Sequence, residues 1–424
     1  MTKIPSKAAW LALAATAWLP LAGPGTAAAA TTLNFLTAEP PDVYAAAIAA
    51  FEKQNPDVKV QYERVPFDSM NAQIEARLGT KDPSIDVYAV DSPRVPAMAQ
   101  RGYLLKFEEY RQQIDAVTNP AARNALLYQK EYWALPLWTS TQLLFYNKDL
   151  LAKAGIQPLS AAEKDRPTWD KVLDMAKKAQ AAGAKWGLIL EQIDRYYQLQ
   201  SLFESSGAGP GLTGDDMLTP NLTSEKWIST AQWYADLFAN GISPRGVSSE
   251  QVADLFINGQ VVFYVGGPWN FSRFNAKQGL NYGIAGNPYF ADGKPATPTD
   301  SWALGISPFT DQMDAAKKFA EFISLNPEGS YLTVANLPIP PVNLKAYATY
   351  IDKIEKNTGA IGPTAKEIMT YELADASVSR PRSVGYVAFE ENMNRAFSDI
   401  RNGADVKATL QQAEAQLKSA LSRL

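Results

Sequence analysis

Leu33-Asn34-Phe35-Leu36 is a short apolar run, and Pro41-Asp42 then opens a stretch with Val43, Ala46, Ala47, Ala50 and Phe51 at helical spacing. Val58, Val60 and Tyr62 alternate as a strand does. Met70, Ile74 and Leu78 return to one helix face, with Ser69 as the expected N-cap, and Asp86 to Val90 is again strand-like. This order predicts β-α-β units, a parallel or mixed sheet whose apolar strands are covered by helices. The pattern restarts at Leu143-Leu144-Phe145-Tyr146. There Pro167-Thr168-Trp169-Asp170 opens a helix with Val172, Met175, Ala176 and Ala179 on its face and Gly183 as its stop, before a strand from Gly187 to Leu190. Helical periods at 225–239 and 249–258 precede the strand Val261-Val262-Phe263-Tyr264, and later helices are expected at 313–325, 345–357 and 404–422. A chain of 424 residues exceeds one ordinary core, so the restart predicts two α/β lobes.

The composition closes off much chemistry. There is no Cys and no His, which removes disulfides, thiol nucleophiles, Ser-His-Asp triads, His-based zinc sites and the usual proton carrier near neutral pH. Carboxylate chemistry, oxygen-ligated metals or plain binding survive. A formal charge of −4 argues against sequence-blind nucleic-acid binding. Ten Trp and 19 Tyr suit a flat, hydroxylated ligand that must be stacked and hydrogen-bonded together, as well as large aromatic cores. Lys3 and Lys7, the apolar stretch Ala8 to Leu21, and Ala27-Ala28-Ala29-Ala30 read as a cleavable export signal over residues 1–30. No Cys follows the apolar stretch, so an unlipidated, exported, periplasmic protein is expected.

Local motifs exclude more than they assign. Gly209-Pro210-Gly211-Leu212-Thr213-Gly214 matches G-x-G-x-x-G but follows a helical segment, so it reads as a surface loop, not a dinucleotide fingerprint. No P-loop is present, and the adjacent Asp215-Asp216 lacks calcium-loop spacing. Neither a cofactor nor a metal is expected. Paired carboxylates could still make a secreted carbohydrate-active hydrolase without His, and that enzyme stays open as the alternative. The notable loops are aromatic and border apolar strands: Pro136-Leu137-Trp138-Thr139-Ser140-Thr141, Gly266-Gly267-Pro268-Trp269 and Asp300-Ser301-Trp302. Glycines before Trp269 would let backbone approach a ligand while the indole covers one face.

With these residues in hand, the chain resembles the family-1 extracellular solute-binding proteins of ABC importers, the maltose-, trehalose- and glycerol-phosphate-binding type. The marks are Ala49-Ala50-Phe51-Glu52-Lys53-Gln54-Asn55-Pro56, Asp86-Val87-Tyr88 before Gly102-Tyr103-Leu104-Leu105, and Tyr132-Trp133-Ala134-Leu135-Pro136 leading into Leu144-Phe145-Tyr146-Asn147-Lys148-Asp149-Leu150. Further marks are Pro167-Thr168-Trp169, Phe256-Ile257-Asn258-Gly259-Gln260 before Gly267-Pro268-Trp269, and Arg380-Pro381-Arg382 before a long helix. The resemblance implies a two-lobed periplasmic-binding-protein fold (type II), each lobe a mixed sheet flanked by helices, with the ligand cleft between lobes. It implies crossings near 141, 302 and 345, with 31–141 plus 303–345 as the first lobe and 142–302 plus 346–424 as the second. Carried over residue by residue, it implies a ligand set of Glu39, Asp68, Asp91, Ser92, Trp138, Thr139, Ser140, Tyr197, Gly267, Trp269, Asp300, Trp302 and Arg380.

The implied function is capture of a carbohydrate by a monomeric receptor, without catalysis, and its delivery to an inner-membrane ABC permease. Feeding a sensor or chemotaxis system would use the same binding physics. One departure bears on the ligand: Arg195 stands where maltose-type members carry an acid, and Arg380 and Arg382 lie close together late in the chain. Convergence of two of these arginines would suit an anionic sugar derivative. Arg195 is expected instead to pair with a local acid, which favours a neutral or weakly acidic carbohydrate.

Overall fold

The computed structural model describes residues 30–424, and the expected export signal lies outside them apart from its last residue. Counting only the strands of the two main sheets, these are β1 (Thr31–Thr37), β2 (Val58–Arg64), β3 (Val87–Asp91), β4 (Leu135–Pro136), β5 (Leu143–Asn147), β6 (Trp186–Leu190), β7 (Val261–Gly266), β8 (Tyr282–Gly286) and β9 (Trp302–Ile306). The first sheet has the order β2-β1-β3-β9-β4 and the second β8-β5-β7-β6. β1 lies parallel to β2 and β3, whereas β9, arriving from much later in the chain, runs antiparallel to β3 and β4. In the second sheet β7 is parallel to β6 and antiparallel to β5. Parallel neighbours need helical crossovers, and these cover the faces.

Helices α1 (Pro41–Gln54) and α2 (Phe67–Gly79) fill the first crossovers, and α3 (Trp169–Ala181) those of the second sheet. Ser69 is not the N-cap of α2. The helix begins earlier, with Pro66 in the cap position, and the Ser69 hydroxyl donates back to the Pro66 carbonyl at 3.2 Å. Proline fixes φ and forbids continuation on its N-terminal side, so it sets this start before a serine can. The expected helix at 345–357 is two, Leu344–Asp352 and Ile354–Thr358. Beyond them come α4 (Gly362–Asp375), α5 (Tyr386–Arg401) and α6 (Val406–Leu421), of which α4 was not foreseen. Among the described residues no helix is long and apolar enough to cross a membrane.

Each sheet has its own aromatic core. In the first, Phe35 meets Tyr44 and Phe319 edge-on at 4.8 and 5.2 Å. In the second, Phe145 meets Phe271 and Phe274 at 5.3 and 5.1 Å. Between the sheets the chain passes twice in a two-stranded ribbon. Trp138 N–H donates to the Trp302 carbonyl at 2.9 Å, Ser140 N–H to the Thr299 carbonyl at 3.1 Å, and Thr139 bridges Asp300 in antiparallel fashion. A third segment joins it, the Pro340 carbonyl accepting from Thr139 N–H at 2.9 Å.

Candidate functional site

The carboxyl ends of β1, β3, β6 and β7 bring forward Glu39, Asp91, Glu191 and Gly267, the edge at which open α/β sheets bind ligands. Glu39 follows β1. Its N–H donates to Thr37 Oγ1 at 3.2 Å, and its carbonyl accepts from the Tyr62 hydroxyl at 2.6 Å. That leaves the side chain projecting from a fixed backbone, with the carboxyl making no hydrogen bond among the described residues. Burial pushes this carboxyl up to about 7, against the lowering pull of Arg64.

Folded Glu39 holds a proton that the unfolded chain releases, so its contribution to stability is full below pH 4.5 and is lost as pH rises to about 7. Glu39→Gln should therefore match wild type in melting temperature at the acid end and exceed it increasingly through this window. Scanning fluorimetry across pH checks it, and a difference that is flat with pH would place the carboxyl in open water.

The second-lobe wall is built around Glu191, directly after β6. Trp269 Nε1 donates to it at 2.7 Å and Gly267 N–H at 3.2 Å. Burial pushes the Glu191 carboxyl up, and these donors with Asn270 pull it back. Gly267 serves a different purpose from the one expected of it. A Cβ there would stand 2.1 Å from the Trp269 ring, so the missing side chain lets the indole fold back onto its own turn. Trp269 stays half-buried, 6.5 Å from the Tyr197 ring centroid, and the Tyr197 hydroxyl shares a 2.8 Å hydrogen bond with Ser140 on the crossing ribbon.

Several expected ligand groups are instead held by the protein. Asp91 takes Arg380 bidentately at 2.5 and 2.9 Å, and Asp300 accepts from the Arg380 N–H at 2.6 Å and from Arg382 at 3.3 Å. Arg380, 3% exposed, also donates to the Tyr386 hydroxyl at 3.1 Å and lies 5.0 Å from the Tyr197 ring. Ser92 Oγ donates to the Ser301 carbonyl at 2.6 Å, and Thr139 Oγ1 to that of Thr299 at 2.6 Å. Trp138 is fully packed: its ring stacks on Tyr44 at 5.5 Å and its Nε1 donates to Thr333 Oγ1 at 2.9 Å. Its neighbours in sequence place it beside the cleft, but its indole turns into the first core. Asp68 is exposed on the first turn of α2, and Trp302 lies edge-on to Phe67 at 5.9 Å.

A cavity of about 450 Å³ takes Ser92, Trp138, Thr139, Asp300 and Trp302 into its walls but none of Glu39, Glu191, Tyr197, Trp269 or Arg380. Its other walls are largely Ala, Leu, Pro and Val, and its one acid, Asp300, is already bound by arginines. The part-exposed Glu191–Trp269 pair offers an acceptor and an aromatic face together, backed by Tyr197 and Ser140, which are buried and hydrogen-bonded to each other. Among the described residues no group of three or more His, Cys, Asp or Glu is placed to hold a metal ion.

The sequence reading missed Glu191, Arg94 and Glu390. Arg94, after β3, meets Glu390 of α5 at 2.5 Å, and Glu75 of α2 at 3.2 Å, so it ties the first sheet's edge to the C-terminal helices. Glu191 follows the strand Leu188-Ile189-Leu190, and its position at a strand's carboxyl end was the available signal.

The family model described as bacterial extracellular solute-binding protein matches residues 37–329. The chain is 27% identical over 292 residues to a galactooligosaccharide-binding protein of Bacillus subtilis (strain 168), covering 66% of this chain and 65% of that relative's length. It is 25% identical over 395 residues to the sn-glycerol-3-phosphate-binding periplasmic protein UgpB of Brucella abortus (strain 2308), covering 88% and 82%. Among solved structures, maltose-bound MalE3 of T. maritima superposes with a TM-score of 0.79 at 20% identity, over 92% of this chain and all of that one. At that identity the likeness is one of fold.

Proposed function

The chain belongs to the bacterial extracellular solute-binding proteins, and from that premise we propose that it captures a carbohydrate between its two lobes and delivers it to an ABC permease. The observation that carries this is the part-exposed Glu191–Trp269 pair at the second sheet's edge, backed by Tyr197 and Ser140, with Glu39 unpartnered at the first. Carboxylates accept strongly from sugar hydroxyls, and an indole covers the apolar face of a pyranose. The sugar ligand named for the Bacillus relative supports the reading. We place the lobes at 31–141 plus 303–345 and 142–302 plus 346–424, moving as rigid bodies about the crossing ribbon. The protein is a periplasmic, unlipidated monomer that binds without turnover. A product released from any glycan, abolished by a single Asp or Glu substitution, would replace this reading with that of a hydrolase.

A thermal-shift panel of mono- and oligosaccharides and polyols tests the ligand class. A true ligand at about 100 times its Kd adds about 2.7 kcal/mol of stability, and a panel without any shift would overturn the assignment. With that ligand, Trp269→Ala is expected to weaken binding at least about fivefold, the loss of about 1 kcal/mol of aromatic contact, while melting close to wild type. Calorimetric titration and a melt of the same sample read both. Normal binding with a collapsed melting temperature would make Trp269 a core residue. Export is read by intact mass of the secreted form: a start near Thr31 without added lipid is expected, and a retained leader or lipid mass contradicts it.

A further inference from the structure

The arginines Arg94, Arg195, Arg380 and Arg382 are not equivalent. Arg380 is neutralised by Asp91, Arg382 by Asp300, and Arg94 by Glu390 and Glu75. Arg195, the residue that caps α-helix Tyr196–Ser205, has no carboxylate in ion-pair contact among the described residues. The acid beside it in sequence, Asp194, is taken by Arg401 at 3.3 Å. Glu390 feels the Arg195 charge but is already bound by Arg94 and by the Tyr386 hydroxyl. Arg195 does not turn away to solvent. It is half-buried with its guanidinium 4.5 Å from the ring centroid of Phe67 on α2, and its Nη1 is dry and without an acceptor. Phe67, 40% exposed, also lies edge-on to Trp302 at 5.9 Å, so the guanidinium is part of a clamp between α2 and the helix Tyr196–Ser205.

An unpaired carboxyl such as Glu39 can answer burial by keeping its proton. A guanidinium cannot lose its own, and its unused donors call for an external anion. Resting on the carbohydrate reading above, we propose that the ligand bears an anionic substituent, a carboxylate, phosphate or sulfonate, which Arg195 takes in the closed cleft against Phe67. The planar fork suits all three groups, binding two oxygens at once.

The test uses glucose and galactose, each with its 6-carboxylate, 6-phosphate and 6-sulfonate counterpart, titrated calorimetrically into wild type, Arg195→Gln and Arg195→Lys, with melting curves confirming that each variant folds. One acidic counterpart is expected to bind at least about tenfold tighter than its neutral parent. That preference should weaken with salt, fall to near unity in Arg195→Gln, and be partly restored in Arg195→Lys, which keeps the charge but not the fork. Which counterpart wins distinguishes carboxylate, phosphate and sulfonate. Acids that bind no better than their parents, or a preference that survives Arg195→Gln, would overturn the proposal while leaving carbohydrate capture standing. Binding of none of the eight compounds would count against this proposal. If the wider neutral panel is also silent, it is the carbohydrate reading that fails.

Discussion

Arg380→Ala is expected to cost about 3–5 kcal/mol of stability, read as a lower urea midpoint, because it leaves Asp91 buried with no counter-ion. Arg380 spans 289 residues of sequence to reach Asp91, and it also holds Asp300 through its backbone N–H and Tyr386 through Nη1. The Asp91 carboxylate and the Tyr386 hydroxyl therefore lose a common partner together, whereas the backbone N–H to Asp300 survives the substitution. Removing the acid as well should recover much of the loss, so Arg380→Met with Asp91→Asn is expected to be more stable than Arg380→Met alone. Arg380→Lys, which keeps the charge but not the bidentate grip, should fall between. A loss under about 1 kcal/mol would be that of an exposed pair, and would mean that water reaches Asp91 in solution.

Trp138→Ala is the second large effect, expected at about 3–5 kcal/mol as for other buried aromatics truncated in a packed core. The indole is 2% exposed, stacked on Tyr44 and hydrogen-bonded to Thr333, so truncation leaves a cavity and removes the donor to a Thr333 hydroxyl that keeps only its 2.7 Å bond to the Ser330 carbonyl. Ligand affinity measured on the folded fraction should change little, the reverse of Trp269→Ala. Denaturant unfolding and titration separate the two tryptophans. A Trp138→Ala protein that folds normally and fails to bind would put this indole back in the site.

These two tryptophans show where sequence reading reached its limit. Both follow or precede short apolar strands, and both carry glycine or proline within a few positions, so local pattern treats them alike. What separates them is tertiary. Trp138 finds Tyr44 and Thr333, far away in the chain, while Trp269 is held at the surface of its lobe by Glu191 and by the space that Gly267 leaves. The strands and crossover helices were legible because each buries one face of local residues at a fixed period. Helix α4 was not, because its buried side includes Glu372, a carboxylate made tolerable by Arg166 and by the Asn287 N–H from distant segments. The arginines were legible as charges, but their partners were not. Asp91 and Asp300 looked like ligand groups until Arg380 and Arg382 occupied them, and Arg195 looked paired until Arg401 took its neighbour.

The proposed capture works by closure of the two lobes about the crossing ribbon. In this structure Asp91–Arg380 and Arg94–Glu390 already join the two sides. A ligand shifts the balance only by binding a closed form better than an open one. Small-angle scattering of the mature protein, with and without a saturating sugar whose binding is confirmed by calorimetry, measures this directly. The loaded protein is predicted to have the smaller radius of gyration. Superimposable curves for loaded and empty protein would mean that the cleft does not move on binding, and would contradict the account.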